Sequence, residues 1–212
     1  MQDAWYRIGS SLIPQYTNLI PRLDAHGFKG TFYTISGAVS TLETYLTWAD
    51  LISMHNNGHD IQCHSADGSG LSTLTAEQIR VKMETVNTDF AANGLPTPIH
   101  HAYPGGAHNA TVDATVAEYR LTGRGVTGSL FKTPAFSRYG FGGLSIDTLE
   151  TNWSGCSSLA IQAKQYCRCA LYYGHDYSGD GYLSVLDDLL DLNMDGRITL
   201  VDFSILAFNW TG

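Results

Sequence analysis

Asn57-Gly58-His59-Asp60-Ile61-Gln62-Cys63-His64-Ser65 holds a helix stop, a short strand and a polar loop start within nine residues. Gly58 suits the position just past a helix end, where left-handed backbone is common. Thr47 suits the other end of that helix as N-cap, so a helix is predicted from Thr47 to Asn57. Asp60 to Cys63 then reads as a strand, with His64 where it stops. Before this stretch, Lys29 to Ile35 is a β-rich run that follows a helical stretch ending at His26-Gly27. After it, Thr75-Ala76-Glu77-Gln78 has the capping-box pattern and opens a helix to about Asn93-Gly94. Ile99 to Tyr103 reads as the next strand, stopped by Pro104-Gly105-Gly106. A helix is predicted from Thr111 to Leu121, and another ahead of a strand from Ala170 to Gly174. Strands alternating with helices predict an α/β fold. His64, Tyr103-Pro104 and His175 all fall at the C-terminal ends of predicted strands, the face on which barrel-like α/β folds build their sites.

The composition fits one well-buried domain and a small appendage. The chain has 212 residues, 43% of them apolar and 11% aromatic, which excludes a disordered polymer. No apolar run approaches the roughly 18 residues needed to cross a bilayer, so no membrane partner is expected. The net charge of −8 is uneven: residues 176–212 carry seven Asp against Arg197 alone. Without a basic stripe to neutralise phosphates, nucleic acid is not an expected partner. Cys63, Cys156, Cys167 and Cys169 lack the paired spacing of a zinc site and suit either disulfides or buried thiols. Met1-Gln2-Asp3-Ala4-Trp5 has neither the basic region nor the apolar stretch of a secretion signal.

Five segments, in order, carry a family resemblance. They are Ile20-Pro21-Arg22-Leu23-Asp24-Ala25-His26-Gly27-Phe28-Lys29-Gly30-Thr31-Phe32-Tyr33, Asn57 through Ser65, Ala102-Tyr103-Pro104-Gly105-Gly106, Gly123-Arg124-Gly125-Val126, and Leu171-Tyr172-Tyr173-Gly174-His175. Together they resemble the polysaccharide deacetylase (NodB-homology) family over nearly all of residues 10–175. The resemblance implies an incomplete (β/α) barrel over residues 1–175. It also implies removal of acetyl groups from a polysaccharide of the chitin, peptidoglycan or xylan class, with a divalent metal, zinc or similar. In such chemistry the metal polarises the acetyl carbonyl and activates water, an Asp takes the proton, and a His protonates the leaving group. Carried onto this sequence, His64 is a metal ligand, His175 the general acid and the N–H of Gly105 the oxyanion donor. Tyr103 and Leu171 lie on the substrate, Leu171 against the acetyl methyl.

The sequence departs from the family at the same chemistry. The family's paired aspartates fall on Gly9 and Ser10, its second ligand His on Gly68, and its Arg-x-Pro arginine on Ala102. Asp67 is the acid nearest the missing ligand, although Asp67-Gly68 is also an ordinary turn pair. One imidazole does not hold a divalent ion by itself, so impaired catalysis is expected. The alternative is a catalytically inactive glycan-binding protein.

The acidic end has a pattern of its own. From Asp191 to Asp202, Asp191, Asn193, Asp195 and Asp202 fall at positions 1, 3, 5 and 12 of a calcium loop, with Gly196 at position 6 and the Arg197 carbonyl at 7. A second copy offers Asp176, Ser178, Asp180, Tyr182 and Asp187. Residues 176–212 thus resemble a short dockerin. That resemblance implies calcium, a cohesin-type scaffold protein as partner and an extracellular location.

Overall fold

A computed structural model describes residues 12–25, 29–126, 130–131, 138–145, 158, 162, 165 and 169–174. Gly9, Ser10, Cys156, Cys167, His175 and the calcium loops from Asp176 to Asp202 lie outside these residues.

The first described elements are a π-helical turn, Gln15–Leu19, and α1, Ile20–Ala25, into which it runs. Four parallel strands follow, β1 (Thr31–Thr34), β2 (Asp60–Cys63), β3 (His100–Ala102) and β4 (Thr122–Arg124), lying side by side in that order. Helices α2 (Trp48–Asn56), α3 (Ala76–Ala92) and α4 (Ala110–Val116) connect them. The pair β5 (Leu130–Phe131) and β7 (Cys169–Ala170) is antiparallel, and β6 (Leu144–Ser145) runs parallel to β8 (Tyr172–Tyr173). The α/β expectation is therefore met on a parallel sheet. Closure into a barrel is not among the described features.

Capping fixes where the connecting helices start. Thr47 accepts from Asp50 N while Asp50 reaches back to Thr47 N at 2.8 Å, and Thr75 with Gln78 repeats the arrangement. Each reciprocal pair satisfies two backbone donors that a helix start leaves open. The helix expected from Thr111 to Leu121 stops instead at Val116. Leu121 N donates to Ile99 O at 2.7 Å, so the sheet takes up the chain before the helix can continue. Strand β4 was not legible as a strand, because Thr122-Gly123-Arg124 has no apolar alternation. Its glycine is dictated by the neighbouring strand: a Cβ on Gly123 would collide with the Tyr103 hydroxyl.

Side-chain alternation gives the sheet two unlike faces. Phe32, Ile61, Cys63 and Tyr103 point into the core with Leu51, Met54, Ile79, Met83, Val86, Phe90, Val112 and Val116. The opposite face carries Tyr33, Asp60, Gln62, His64, His100, Ala102, Thr122 and Arg124, which the registers bring side by side. Several of those polar groups pair with one another. Gln62 donates to Asp60 Oδ1 at 2.6 Å and accepts from the Ile99 and His100 backbone N–H groups at 2.9 and 2.7 Å. The His100 ring lies 2.8 Å from Thr122 Oγ1.

His59 has a structural place. It takes the Gly30 N–H on Nδ1 at 3.2 Å, and its Nε2 lies 3.2 Å from Asp24 Oδ1. Asp24 also receives Lys29 and Asn57. The first resemblance segment is thereby tied to the second, at the N-terminal end of the sheet and away from the loops that follow the strands.

Candidate active site

The C-terminal strand ends gather His64, the Tyr103–Gly106 turn and Arg124 along one edge. His64 is held twice: its backbone N–H donates to Thr34 O at 2.8 Å, and its ring Nδ1 lies 2.8 Å from Ala102 O. A carbonyl only accepts, so in the neutral ring the proton sits on Nδ1 and the lone pair on Nε2. That is the state a ligating or proton-accepting imidazole needs. The side chain is buried, at 6% exposure.

The loop after His64 turns abruptly. Ser65 has φ +71°, a left-handed conformation that costs a non-glycine residue about 1–2 kcal/mol. Gly68 follows at φ +72°, and a Cβ there would stand 2.6 Å from Ile35 Cδ1. The position expected to carry the second ligand histidine is thus shaped for a residue without a side chain.

Asp67 is already committed. Its Oδ2 takes the Lys82 ammonium at 2.5 Å, and its Oδ1 takes the Ser69 N–H and hydroxyl at 3.0 and 2.8 Å. Burial alone would raise its pKa, but the hydrogen bonds from Lys82 and Ser69 and the Lys82 charge hold it below the usual value. An acid with both oxygens occupied and a cation against it is a poor metal ligand. Among the described residues no group of three His, Cys, Asp or Glu side chains could hold a metal ion. The described set does not fit the divalent metal implied by the resemblance.

The turn after β3 puts Gly105 at φ +64° and Gly106 at φ +73°. Gly105 is exposed with open space where a Cβ would be, whereas a Cβ on Gly106 would strike Val126. Gly105 thus presents its backbone at the strand end, where an oxyanion donor would have to be.

Tyr103 is placed otherwise than expected for a substrate contact. One residue beyond Ala102, it faces the helices and is 1% exposed. Its hydroxyl donates to Asp113 Oδ1 at 2.8 Å, and its ring lies edge-on to His101 and stacks on His108 at 4.7 Å. His108 in turn holds Asp113 at 2.9 Å. This arrangement braces the turn from below and leaves no ring face for a glycan. Leu171 is half-buried between β7 and β8 and closes over Gly143, where a Cβ would collide with it.

Two buried groups of this region were not singled out in the sequence. His101 is fully buried with Nδ1 3.2 Å from Cys63 Sγ, and burial, followed by the nearby charges of His64, Arg120 and Arg124, holds its pKa well below the usual value. Arg124 lies on the polar face, with Cζ 5.3 Å from the Tyr33 ring centroid and 4.8 Å from that of Tyr173. Strand parity from His64 would have separated Tyr103 from Arg124, but only once β4 is recognised as a strand.

No curated protein matches the chain. Solved structures do. PplD, a deacetylase of Streptococcus pyogenes solved in complex with acetate, aligns at 22% identity and a TM-score of 0.53 over 57% of this chain and 54% of its own. The present chain thus spans about half the length of that protein. A family 4 acetyl xylan esterase from Clostridium thermocellum, solved with a cobalt ion, aligns over 87% of this chain and 82% of its own at 19% identity and a TM-score of 0.52. A family 4 carbohydrate esterase from Streptomyces lividans, in complex with acetate, aligns at 14% identity and a TM-score of 0.55, covering 81% of this chain and 77% of its own. At such identities the likeness speaks for the fold. The family itself follows from sequence: the polysaccharide deacetylase profile matches residues 10–123, more than half of the chain and the part that holds β1 to β3 and the start of β4. The chain belongs to the polysaccharide deacetylase family.

Proposed function

We propose that this chain is a deacetylase-type hydrolase of an acetylated polysaccharide, of the chitin, peptidoglycan or xylan class, with impaired metal-assisted chemistry. The observation that carries the reading is the contrast at one strand end. His64 is fixed on Ala102 O with Nε2 as its acceptor nitrogen, while Gly68 is left-handed against Ile35 and Asp67 is bound to Lys82. In this reading the Gly105 N–H faces the developing oxyanion, Leu171 meets the acetyl methyl and His175 returns a proton to the leaving group. The same contrast supports a second reading, a glycan-binding protein that keeps the fold without turnover.

The tail belongs to the proposal. Its loop spacing supports a dockerin-like calcium module over residues 176–212, docking on a cohesin-type scaffold outside the cell. Acetate release from acetylated chitooligosaccharides and acetylated xylan, with zinc or cobalt added, separates the catalytic readings. The impaired reading expects little release, and robust turnover abolished by a chelator would overturn it. For the tail, calcium titrated into the full chain should bind, and Asp195→Ala should remove the tighter event. Unchanged calcium binding in that variant would refute the calcium loop.

A further inference from the structure

Arg124 ends β4 on the polar face of the sheet with only 8% of its surface exposed. Its register partner on β3 is Ala102, whose methyl leaves room for the guanidinium to lie across the sheet toward Tyr33 on β1. The cation rests between two phenol rings, Tyr33 and Tyr173, both of them half-buried. Nη1 donates to Gly125 O at 3.2 Å, whereas the buried Nε finds no acceptor among the described residues. No Asp or Glu among the described residues pairs with Arg124.

A buried guanidinium without a counter-charge is costly, and aromatic faces offset only part of that cost. The planar donor fork of a guanidinium matches a carboxylate better than any other common anion except phosphate. We propose that the Arg124 guanidinium, walled by Tyr33 and Tyr173, is a carboxylate-binding subsite at the C-terminal edge of the sheet. The carboxylate has two natural sources: a uronic acid on an acidic glycan, or acetate released by the reaction. The glycan source needs only the fold, and the acetate source rests on the deacetylase reading.

The test uses the full chain with sodium acetate, sodium glucuronate, neutral glucose and sodium chloride at matched ionic strength. Thermal unfolding and saturation-transfer NMR report binding. A carboxylate should raise Tm above the chloride control, and Arg124→Met should weaken its binding by about tenfold or more, the worth of a charge-assisted hydrogen bond. Arg124→Met should fold, because it removes an unpaired buried charge and keeps an apolar chain between the rings. Arg124→Lys keeps the charge without the planar fork, should bind with intermediate strength, and supplies the comparison if the Met variant is unstable. Preference for glucuronate assigns the subsite to the glycan, and preference for acetate assigns it to the product. No carboxylate effect beyond chloride, or full binding in Arg124→Met, overturns the proposal. Acetate release is measured separately, so robust chelator-sensitive release would overturn the impaired reading while Arg124-dependent glucuronate binding leaves the subsite standing.

Discussion

Replacing Gly68 with alanine asks whether the missing ligand could simply be put back. Two costs add at this position. A left-handed backbone charges a non-glycine residue about 1 kcal/mol or slightly more, and Gly68 has φ +72°. The new Cβ would also stand 2.6 Å from Ile35 Cδ1 and 3.3 Å from its Cγ1. Swinging the Ile35 side chain off its rotamer to make room costs about 1 kcal/mol. Gly68→Ala should therefore lose about 2 kcal/mol in equilibrium urea unfolding. Ile35→Val removes the Cδ1 atom at a cost of about 1 kcal/mol by itself. In that background Gly68→Ala should cost only the backbone part, leaving a coupling of about 1 kcal/mol in the double-mutant cycle. Gly68→His carries the same backbone cost, so a restored histidine would strain the loop that must hold it. A Gly68→Ala variant within about 0.5 kcal/mol of wild type, or one equally costly in both backgrounds, would refute this reasoning.

Two further outcomes follow from buried groups. Burial lowers the pKa of His59 and His100, and of His101 most strongly, so the unfolded chain takes up protons first as the pH falls. Stability should be fully present above about pH 6.5 and be lost below it by about 1.4 kcal/mol per pH unit for each histidine that stays neutral. His101→Gln should remove about one proton's worth of that slope between pH 6.5 and 5.5, and a flat wild-type stability across this range would contradict the buried neutral ring. Tyr103→Phe deletes the hydroxyl that Asp113 accepts at 2.8 Å and should cost about 1–2 kcal/mol in urea unfolding. A substrate-contact role would instead leave stability unchanged and raise KM for the glycan.

What the sequence made legible was local. Thr47 and Thr75 declare their helices because a cap and its partner sit three residues apart, and Gly58 and Pro104-Gly105-Gly106 mark the stops. Strand β2 was read residue for residue, since Asp60 to Cys63 lies between a helix stop and a loop. What stayed hidden depended on distant partners. The lysine that occupies Asp67 is 15 residues away, and nothing in Asp67-Gly68 announces it. Tyr103 looked like part of the site because it adjoins Pro104. Its direction is set by strand parity and by Gly123, which yields space to its ring on a strand with no apolar signal. Arg124 carries no role in the sequence beyond its place in Gly123-Arg124-Gly125-Val126, and gains one only when Ala102 and the two tyrosines are brought around it.

The central proposal is that His64 stands on a deacetylase-family sheet where the described residues offer no group of three side chains to hold a metal ion. Titrating cobalt into the full chain, with calcium present to saturate the tail, tests it through the visible absorption of the bound ion. The account predicts no tight stoichiometric cobalt binding, and any weak binding should be the same in His64→Ala. Tight cobalt binding that His64→Ala abolishes would contradict it.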